Sequence, residues 1–134
     1  MQAFTEWLLS VPASARWVIT LIFAAIVVAL SITPGIARPG DNAFVWLVVN
    51  TPAPLQKLMH VVVYAILALL WVWTLEPVES PALRIGLAIL ATIGLGAILE
   101  WHQTHVPGRF GTLIDVLLNI AGTLIGIIAA LLIL

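Results

Sequence analysis

The sequence predicts an all-α fold: a polytopic bundle of four transmembrane helices with a partly apolar first loop that is interfacial or re-entrant. Of the 134 residues, 63% are hydrophobic and only 8% are charged, whereas a typical soluble domain is about 25% charged. Four apolar stretches are also long enough for the roughly 20 helical residues that cross a bilayer core. A chain of this length forms a single membrane domain, residues 1–134.

The first spanning helix is predicted over residues 17–32. It ends at the Thr-Pro-Gly sequence of residues 33–35, because proline and glycine interrupt helices. Residues 1–16 mix aromatic and charged side chains and are broken at Pro12, a pattern typical of a short interfacial helix. We interpret the first span as a retained anchor and not as a cleaved signal peptide, because the amino end carries Glu6 and no basic segment.

The other three spanning helices are predicted over residues 58–75, 82–103 and 112–134. Pro81 stands just before the third span, and Pro107-Gly108 follows its end, so both limits coincide with residues that interrupt helices. Four spans place both chain termini on one side of the membrane.

The first loop, residues 33–57, is longer than a connection between two neighbouring helices needs. Its middle, residues 44–49, is wholly apolar but too short to cross a bilayer. We therefore expect an interfacial or re-entrant piece that covers one end of the bundle.

Polar side chains gather at the ends of the spans that face this loop. Ionisable groups inside a membrane are costly unless they pair with one another or face a cavity, so such a group indicates a binding site. The candidate site residues are Lys57, His60, Tyr64, Glu100, Gln103, Arg109, Asp115 and Asn119.

Helical spacing places these residues on shared faces. Those of the second span are spaced i, i+3, i+7 and those of the third i, i+3, so each set lies on one stripe. On the fourth span, Asp115 and Asn119 continue into Gly122-x-x-x-Gly126, a pattern that lets another helix approach closely.

The charges of the cluster favour an anionic ligand. The planar guanidinium of Arg109 can pair in a bidentate manner with a carboxylate or a phosphate, which Lys57 cannot do. We expect Arg109, Lys57 and His60 to face an anionic headgroup. Glu100 and Asp115 would hold these basic groups in position.

Four motifs follow one another from the first span to the last. They are Leu30-Ser31-Ile32-Thr33-Pro34-Gly35, Lys57-x-x-His60-x-x-x-Tyr64-x-x-Leu67-Ala68, Glu100-x-x-Gln103-x-x-x-Pro107-Gly108-Arg109 and Asp115-x-x-x-Asn119-x-x-Gly122-x-x-x-Gly126. This ordered series resembles the VanZ-like membrane proteins, a family named for a teicoplanin-resistance determinant. The resemblance implies a small integral membrane protein of the cell envelope, associated in some members with resistance to glycopeptide or lipoglycopeptide antibiotics. It implies no particular reaction.

Composition argues against several other functions. A net charge of −1 with scattered Lys and Arg speaks against a nucleic-acid partner. Without cysteine there is no disulfide framework and no thiolate chemistry. His102 and His105 are spaced to share a metal ion. Histidine is common near lipid headgroups, however, so we expect no metal site and no cofactor.

Several interpretations of the polar cluster remain open. It could be a buried network that fixes helix register, or a ligand site built on that network. We favour the ligand site, because buried ionic networks are often no more stable than apolar packing. The favoured ligand is an anionic membrane lipid or glycolipid that carries a phosphate, such as a polyprenyl-phosphate carrier or its glycosylated derivative. The alternatives are an enzyme acting on a lipid or lipid-linked sugar, with His60 or Glu100 as general base, and an accessory subunit of a membrane complex.

The distribution of basic residues gives an expected orientation in a bacterial plasma membrane. If Lys57 and Arg109 are engaged inside the protein, the free basic residues are Arg16 and Arg84 on the terminal side and Arg38 on the cluster side. The positive-inside rule then places the termini in the cytoplasm and the polar cluster toward the outer face.

Overall fold

The chain forms a helical bundle with no strand among the residues that the computed structural model describes, 2–134. Four of its helices are long and apolar enough to cross a membrane, which confirms the predicted fold class and identifies a multi-pass membrane protein. The spanning helices are α2, α4, α5 and α6. In chain order, the helices are α1 (Gln2–Ser10), α2 (Ala13–Ile32), α3 (Ala43–Val49), α4 (Ala53–Thr74), α5 (Pro81–Gln103) and α6 (Leu113–Ile133).

The spanning helices begin earlier than predicted wherever a proline lies near their start. α4 begins at Ala53 and not at residue 58, with Pro54 inside its first turn. α2 begins at Ala13, directly after Pro12, and not at residue 17. The first turn of a helix needs no N–H donor, so proline is tolerated there although it interrupts the helix interior. The prolines therefore mark helix starts that the sequence analysis places too far along the chain.

The closest helix pair is α4 with α6, and two glycines make it possible. A Cβ atom on Gly122 would lie 2.3 Å from the Val61 carbonyl oxygen, and one on Gly126 would lie 2.1 Å from that of Ala65. The predicted close approach along the Gly-x-x-x-Gly face is thus present. α2 and α5 also pack against α4.

Two Pro-Gly turns meet at the cluster end of the bundle. The Gly35 N–H, just after α2, donates to the Pro107 carbonyl at 3.0 Å. A Cβ atom on Gly35 would lie 2.0 Å from the Gly108 carbonyl oxygen, and Gly108 itself has a φ of +74°. This contact joins the end of α2 to the turn between α5 and α6, and so fixes the backbone that carries Arg109.

The predicted apolar piece of the first loop is the short helix α3. The Asn42 side chain caps it by accepting a hydrogen bond from the Val45 N–H at 3.1 Å. Val48 is the buried residue of this helix, and Leu47 beside it is exposed. α3 therefore covers the cluster end of the bundle while docking mainly through a single side chain.

At the opposite end, Arg16 joins α1 and α2 to the end of α4. Its Nε donates to the Val11 carbonyl and its Nη2 to the Leu9 carbonyl, both at 2.8 Å. Its Nη1 donates to the Trp73 carbonyl and to the Glu76 carboxylate, both at 3.2 Å. Arg16 is buried, and every nitrogen of its guanidinium has a partner. This end is held by a complete set of hydrogen bonds.

Candidate functional site

A cavity of about 340 Å³ lies among α2, α3, α4 and the last turn of α5. Its wall is mostly apolar, with Val27 from α2, Leu47 from α3, and Met59 and Val63 from α4. Polar side chains gather at one end of it. A mainly apolar wall with a few convergent polar groups is the usual form of a small-molecule site.

Five of the eight candidate site residues line this cavity. His60 and Tyr64 come from α4, and Glu100 and Gln103 come from α5. Arg109 follows in the turn after α5. Residues far apart in sequence therefore share one wall, which is the geometry that the candidate site requires.

A hydrogen-bonded chain fixes the orientation of His60. Its Nδ1 lies 2.8 Å from Asn119 Oδ1 and 3.6 Å from Glu100 Oε1. Asn119 Nδ2 in turn donates to Glu100 Oε1 at 3.5 Å. Since both oxygens facing Nδ1 are acceptors, we assign the proton to Nδ1. Nε2 makes no hydrogen bond to residues 2–134 and is not buried, so it is available to the cavity.

Glu100 is the most buried carboxylate of the site, with 4% of its surface exposed. Its Oε1 faces His60 and Asn119. Its Oε2 accepts no hydrogen bond from the described residues, although the Thr112 backbone N–H faces the carboxylate. A buried carboxylate oxygen without a donor is costly, so it is a place where a ligand group can bind favourably.

Arg109 is anchored by the backbone and leaves one donor group free. Its Nε donates to the Thr33 carbonyl at 3.0 Å and its Nη2 to the Leu30 carbonyl at 3.1 Å. Its Nη1 has no protein partner within residues 2–134 and is not buried. Partial burial lowers the pKa of the guanidinium and the nearby charge of Glu100 opposes that shift. Arginine nevertheless stays protonated in proteins.

Tyr64 and Gln103 complete the polar end of the cavity. Tyr64 is buried, and its ring stacks on the His60 ring at a centroid distance of 6.5 Å. Gln103 Nε2 donates to Ser31 Oγ at 2.8 Å, joining α5 to α2. Gln103 thus positions neighbouring helices, while Tyr64 supports the face of the imidazole that Asn119 orients.

Three candidate residues take other places. Asn119 is buried behind His60 and does not line the cavity. Asp115 lies in the first turn of α6 and binds its N-cap residue, Thr112. The Asp115 N–H donates to the Thr112 hydroxyl at 3.1 Å, and Asp115 Oδ2 accepts a hydrogen bond from the same hydroxyl at 2.6 Å. Asp115 does not line the cavity, although its negative charge is near that of Glu100.

Lys57 is not brought to the cavity, contrary to the expected placement. It lies exposed near the start of α4 and forms no hydrogen bond or ion pair with the other candidate residues. Lys57 lies in the second turn of α4, outside the cavity lining, and its exposed position lets the long side chain keep its ammonium in solvent or among headgroups. Helical spacing alone puts Lys57 on the His60 stripe but does not decide which part of that stripe is covered.

Two residues outside the predicted set also hold the site together. Ser31 accepts the Gln103 hydrogen bond from the last turn of α2. A polar residue just before the Thr-Pro-Gly turn was the available signal for it. Val48 supplies part of the apolar wall from α3. Its role depends on how the loop folds over the bundle, and the sequence carries no comparable signal.

A shared metal site is not formed among residues 2–134: no group of three or more His, Asp or Glu side chains lies close enough together. His102 and His105, the histidines with metal-ligand spacing, are both exposed. His105 Nδ1 instead lies 3.0 Å from the Thr104 hydroxyl.

Comparison with known proteins gives a family and no individual relative. A family model described as VanZ/LLP1 matches residues 4–134, essentially the whole chain. Neither the curated proteins nor the solved structures give a match. The four-span fold and this match confirm the resemblance seen in the motifs. This multi-pass membrane protein belongs to the VanZ/LLP1 family, which is linked by its name to glycopeptide resistance.

Proposed function

We propose that this protein binds a membrane lipid with a phosphate-bearing headgroup in the cavity among α2, α3, α4 and α5. The observation that carries the proposal is the half-satisfied guanidinium of Arg109. Two backbone carbonyls hold it in place, and its Nη1 is left free at the polar end of an apolar cavity. A guanidinium fixed in this way is suited to bind a phosphate oxygen.

His60 supports a phosphate at the same position. Its Nε2 is accessible on the cavity side, whereas Asn119 holds Nδ1 on the other. In the protonated imidazole Nε2 donates a hydrogen bond to an anion, and in the neutral ring it accepts one from a headgroup hydroxyl or ammonium. Both forms suit a lipid headgroup.

The apolar wall favours a lipid over a free phosphate compound. Leu47, Leu55 and Met59 line the cavity and are also exposed at 61%, 46% and 43% of their surface. In a spanning bundle such side chains contact acyl chains. The cavity therefore continues from a polar end to a surface on which a lipid chain can lie.

The test is an inventory of lipids that remain bound to the protein after purification in a mild detergent, measured by native mass spectrometry. Arg109→Ala is expected to lose about nine-tenths or more of the retained phosphate-bearing lipid, because a charge-assisted hydrogen bond contributes at least a tenfold effect. Arg38→Ala is the matched control, since Arg38 is an exposed arginine at the same end.

Arg109 also holds the end of α2, so its replacement could disturb folding. Val63→Trp is the second variant, because it fills the apolar part of the cavity without touching a polar group. Folding of each variant is checked by circular dichroism and by size-exclusion elution. Unchanged lipid retention in both folded variants would overturn the proposal.

An acid–base activity on the bound lipid is the second candidate function. It is favoured by the fixed orientation of His60, whose Nδ1 is held by Asn119 while Nε2 faces the cavity. Purified protein would be incubated with vesicles of bacterial lipid and the products analysed by mass spectrometry. If the natural chain converts a lipid and His60→Gln does not, the protein is an enzyme. If the natural chain leaves the lipids unchanged, the enzymatic function is refuted.

We also propose a bacterial plasma membrane, with the cavity end in the cytoplasm. The sequence predicts the opposite orientation, because that count of basic loop residues leaves out Lys57 as engaged inside the protein. Lys57 is exposed and so counts with Arg38 as a free loop charge, whereas Arg16 at the other end is buried and paired with Glu76.

The chain contains no cysteine, so single introduced cysteines can report this orientation. Asp41 and Glu79 are exposed at the cavity end and the opposite end, respectively. A membrane-impermeant maleimide added to intact spheroplasts is expected to label Glu79→Cys and not Asp41→Cys. The reverse labelling would restore the orientation expected from the sequence.

Binding of an envelope lipid would connect this protein to the glycopeptide resistance in its family name. The connection is tested by expressing the chain in a teicoplanin-susceptible host. A raised inhibitory concentration of teicoplanin that Arg109→Ala abolishes supports it. An inhibitory concentration that does not change on expression speaks against it.

A further inference from the structure

Two groups of opposite charge face the cavity and do not pair with each other. Arg109 is anchored by backbone carbonyls, and Glu100 faces His60 and Asn119. No ion pair joins Arg109 to Glu100, although both residues line the cavity. The opposite end of the bundle differs, because there Arg16 and Glu76 are in direct contact.

Within residues 2–134, the separation leaves one side-chain atom without a hydrogen-bond partner on each of these two cavity-lining residues. On the basic side it is Arg109 Nη1, which is accessible. On the acidic side it is Glu100 Oε2, which is buried and accepts no hydrogen bond from residues 2–134. Buried polar atoms nearly always have a partner, so a donor group would satisfy Glu100 Oε2, and Arg109 Nη1 is free to donate to an acceptor.

A purely anionic headgroup meets only one of these requirements. It would provide an acceptor for Nη1 but would bring a second negative charge into a space of low dielectric beside Glu100. It would also leave Oε2 without a donor. A headgroup that carries a cation with N–H groups next to its phosphate meets both requirements.

We infer that the lipid is zwitterionic, with its phosphate on Arg109 Nη1 and a primary ammonium on Glu100 Oε2, as in a phosphoethanolamine headgroup. This inference rests on the proposed function and names the chemical class of its ligand. The His60–Asn119 pair occupies Oε1 of the carboxylate, which leaves Oε2 as the acceptor for the ammonium.

The ammonium is primary because Oε2 needs an N–H donor. A quaternary trimethylammonium has none and is recognised instead by a cage of aromatic rings. The polar end of this cavity offers only Tyr64 and His60 as rings, and these two stack on each other. The site therefore discriminates against phosphocholine as well as against phosphoglycerol.

The test uses the full chain in nanodiscs and lipids with identical acyl chains. The probes are phosphatidylethanolamine, phosphatidylcholine and phosphatidylglycerol, each competing with a spin-labelled lipid. Phosphatidylethanolamine is expected to bind at least about tenfold more tightly than the other two, the difference expected for a hydrogen bond to a charged group. In Glu100→Gln the preference over phosphatidylglycerol is expected to fall to within about threefold, because the negative charge is gone. Glu79→Gln, an exposed residue at the opposite end, is expected to leave the preference unchanged.

The outcomes separate the two claims. If phosphatidylglycerol binds as tightly as phosphatidylethanolamine and Arg109→Ala abolishes both, the headgroup inference is overturned and the proposed function stands. If no lipid binds in a manner that depends on Arg109 or on Val63→Trp, both are overturned. The inference is also overturned if phosphatidylcholine binds as tightly as phosphatidylethanolamine. This comparison is made on the natural chain and so does not depend on the folding of any variant.

Discussion

Arg16 and Arg109 lie at opposite ends of the same bundle, and backbone carbonyl groups hold both of them. Arg16 has acceptors for all of its nitrogens and a direct partner in Glu76. Arg109 has two carbonyl acceptors and a free Nη1. Glu100, the carboxylate whose charge acts on Arg109, forms no ion pair with it. The first arrangement is complete without a ligand, whereas the second is not.

The difference shows how to recognise a site among the buried charges of a membrane protein. Burying an arginine is costly, and a structural arginine offsets that cost with a full set of partners. Arg109 is held firmly but has one nitrogen without a hydrogen-bond partner within residues 2–134, and a carboxylate oxygen of Glu100 also lacks one. Such groups are expected to find their remaining partners in a ligand. The Arg16 end holds the bundle together, and the Arg109 end is arranged for a ligand.

The largest effect on stability is expected from Arg16→Ala. The change removes four hydrogen bonds and the partner of Glu76, so the free energy of unfolding should fall by about 3 kcal/mol. Thermal unfolding in detergent measures it, with Arg38→Ala as the control. Lipid selectivity should stay unchanged in the fraction that remains folded. A stability equal to that of the control would contradict a structural role for this end.

A smaller loss of stability, with a specific loss of binding, is expected from Gly35→Ala. The added methyl would lie 2.0 Å from the Gly108 carbonyl oxygen, so the two Pro-Gly turns must separate and Arg109 must move. We expect a loss of about 1–3 kcal/mol and at least a tenfold loss of retained lipid.

Gly94→Ala is the matched control for this variant, because a methyl on Gly94 meets nothing within 4 Å. Lipid retention and thermal stability are measured on both proteins. If Gly35→Ala keeps its lipid, the meeting of the two turns does not position Arg109 for binding.

The smallest effect is expected from Lys57→Ala. Lys57 is exposed and lies outside the cavity lining, so stability should change by less than about 0.5 kcal/mol. Lipid retention should stay within about twofold of the natural chain, as expected for a screened charge at the rim. Native mass spectrometry of Lys57→Ala beside Arg109→Ala provides the comparison. A loss as large as that of Arg109→Ala would return Lys57 to the site.

The sequence by itself determined the fold class, the number of spans and the face of α6 on which another helix packs. Apolar length fixes how many helices can cross a membrane, and the Gly122–Gly126 spacing fixes where two of them approach closely. The sequence also located the polar residues at one end, because charge in an apolar segment is visible without coordinates. These are properties of single segments.

Only the tertiary structure decided which of those residues share a cavity. Helical spacing places Lys57 and His60 on one stripe, yet His60 lines the cavity and Lys57 does not. The Asp115 carboxylate instead accepts a hydrogen bond from the Thr112 hydroxyl at the start of its own helix. The physical reason is that periodicity defines faces within one helix, whereas cavities depend on how helices rotate against one another and where loops cross. The contact of Gly35 with Pro107, which sets Arg109 in place, joins residues from two separate turns.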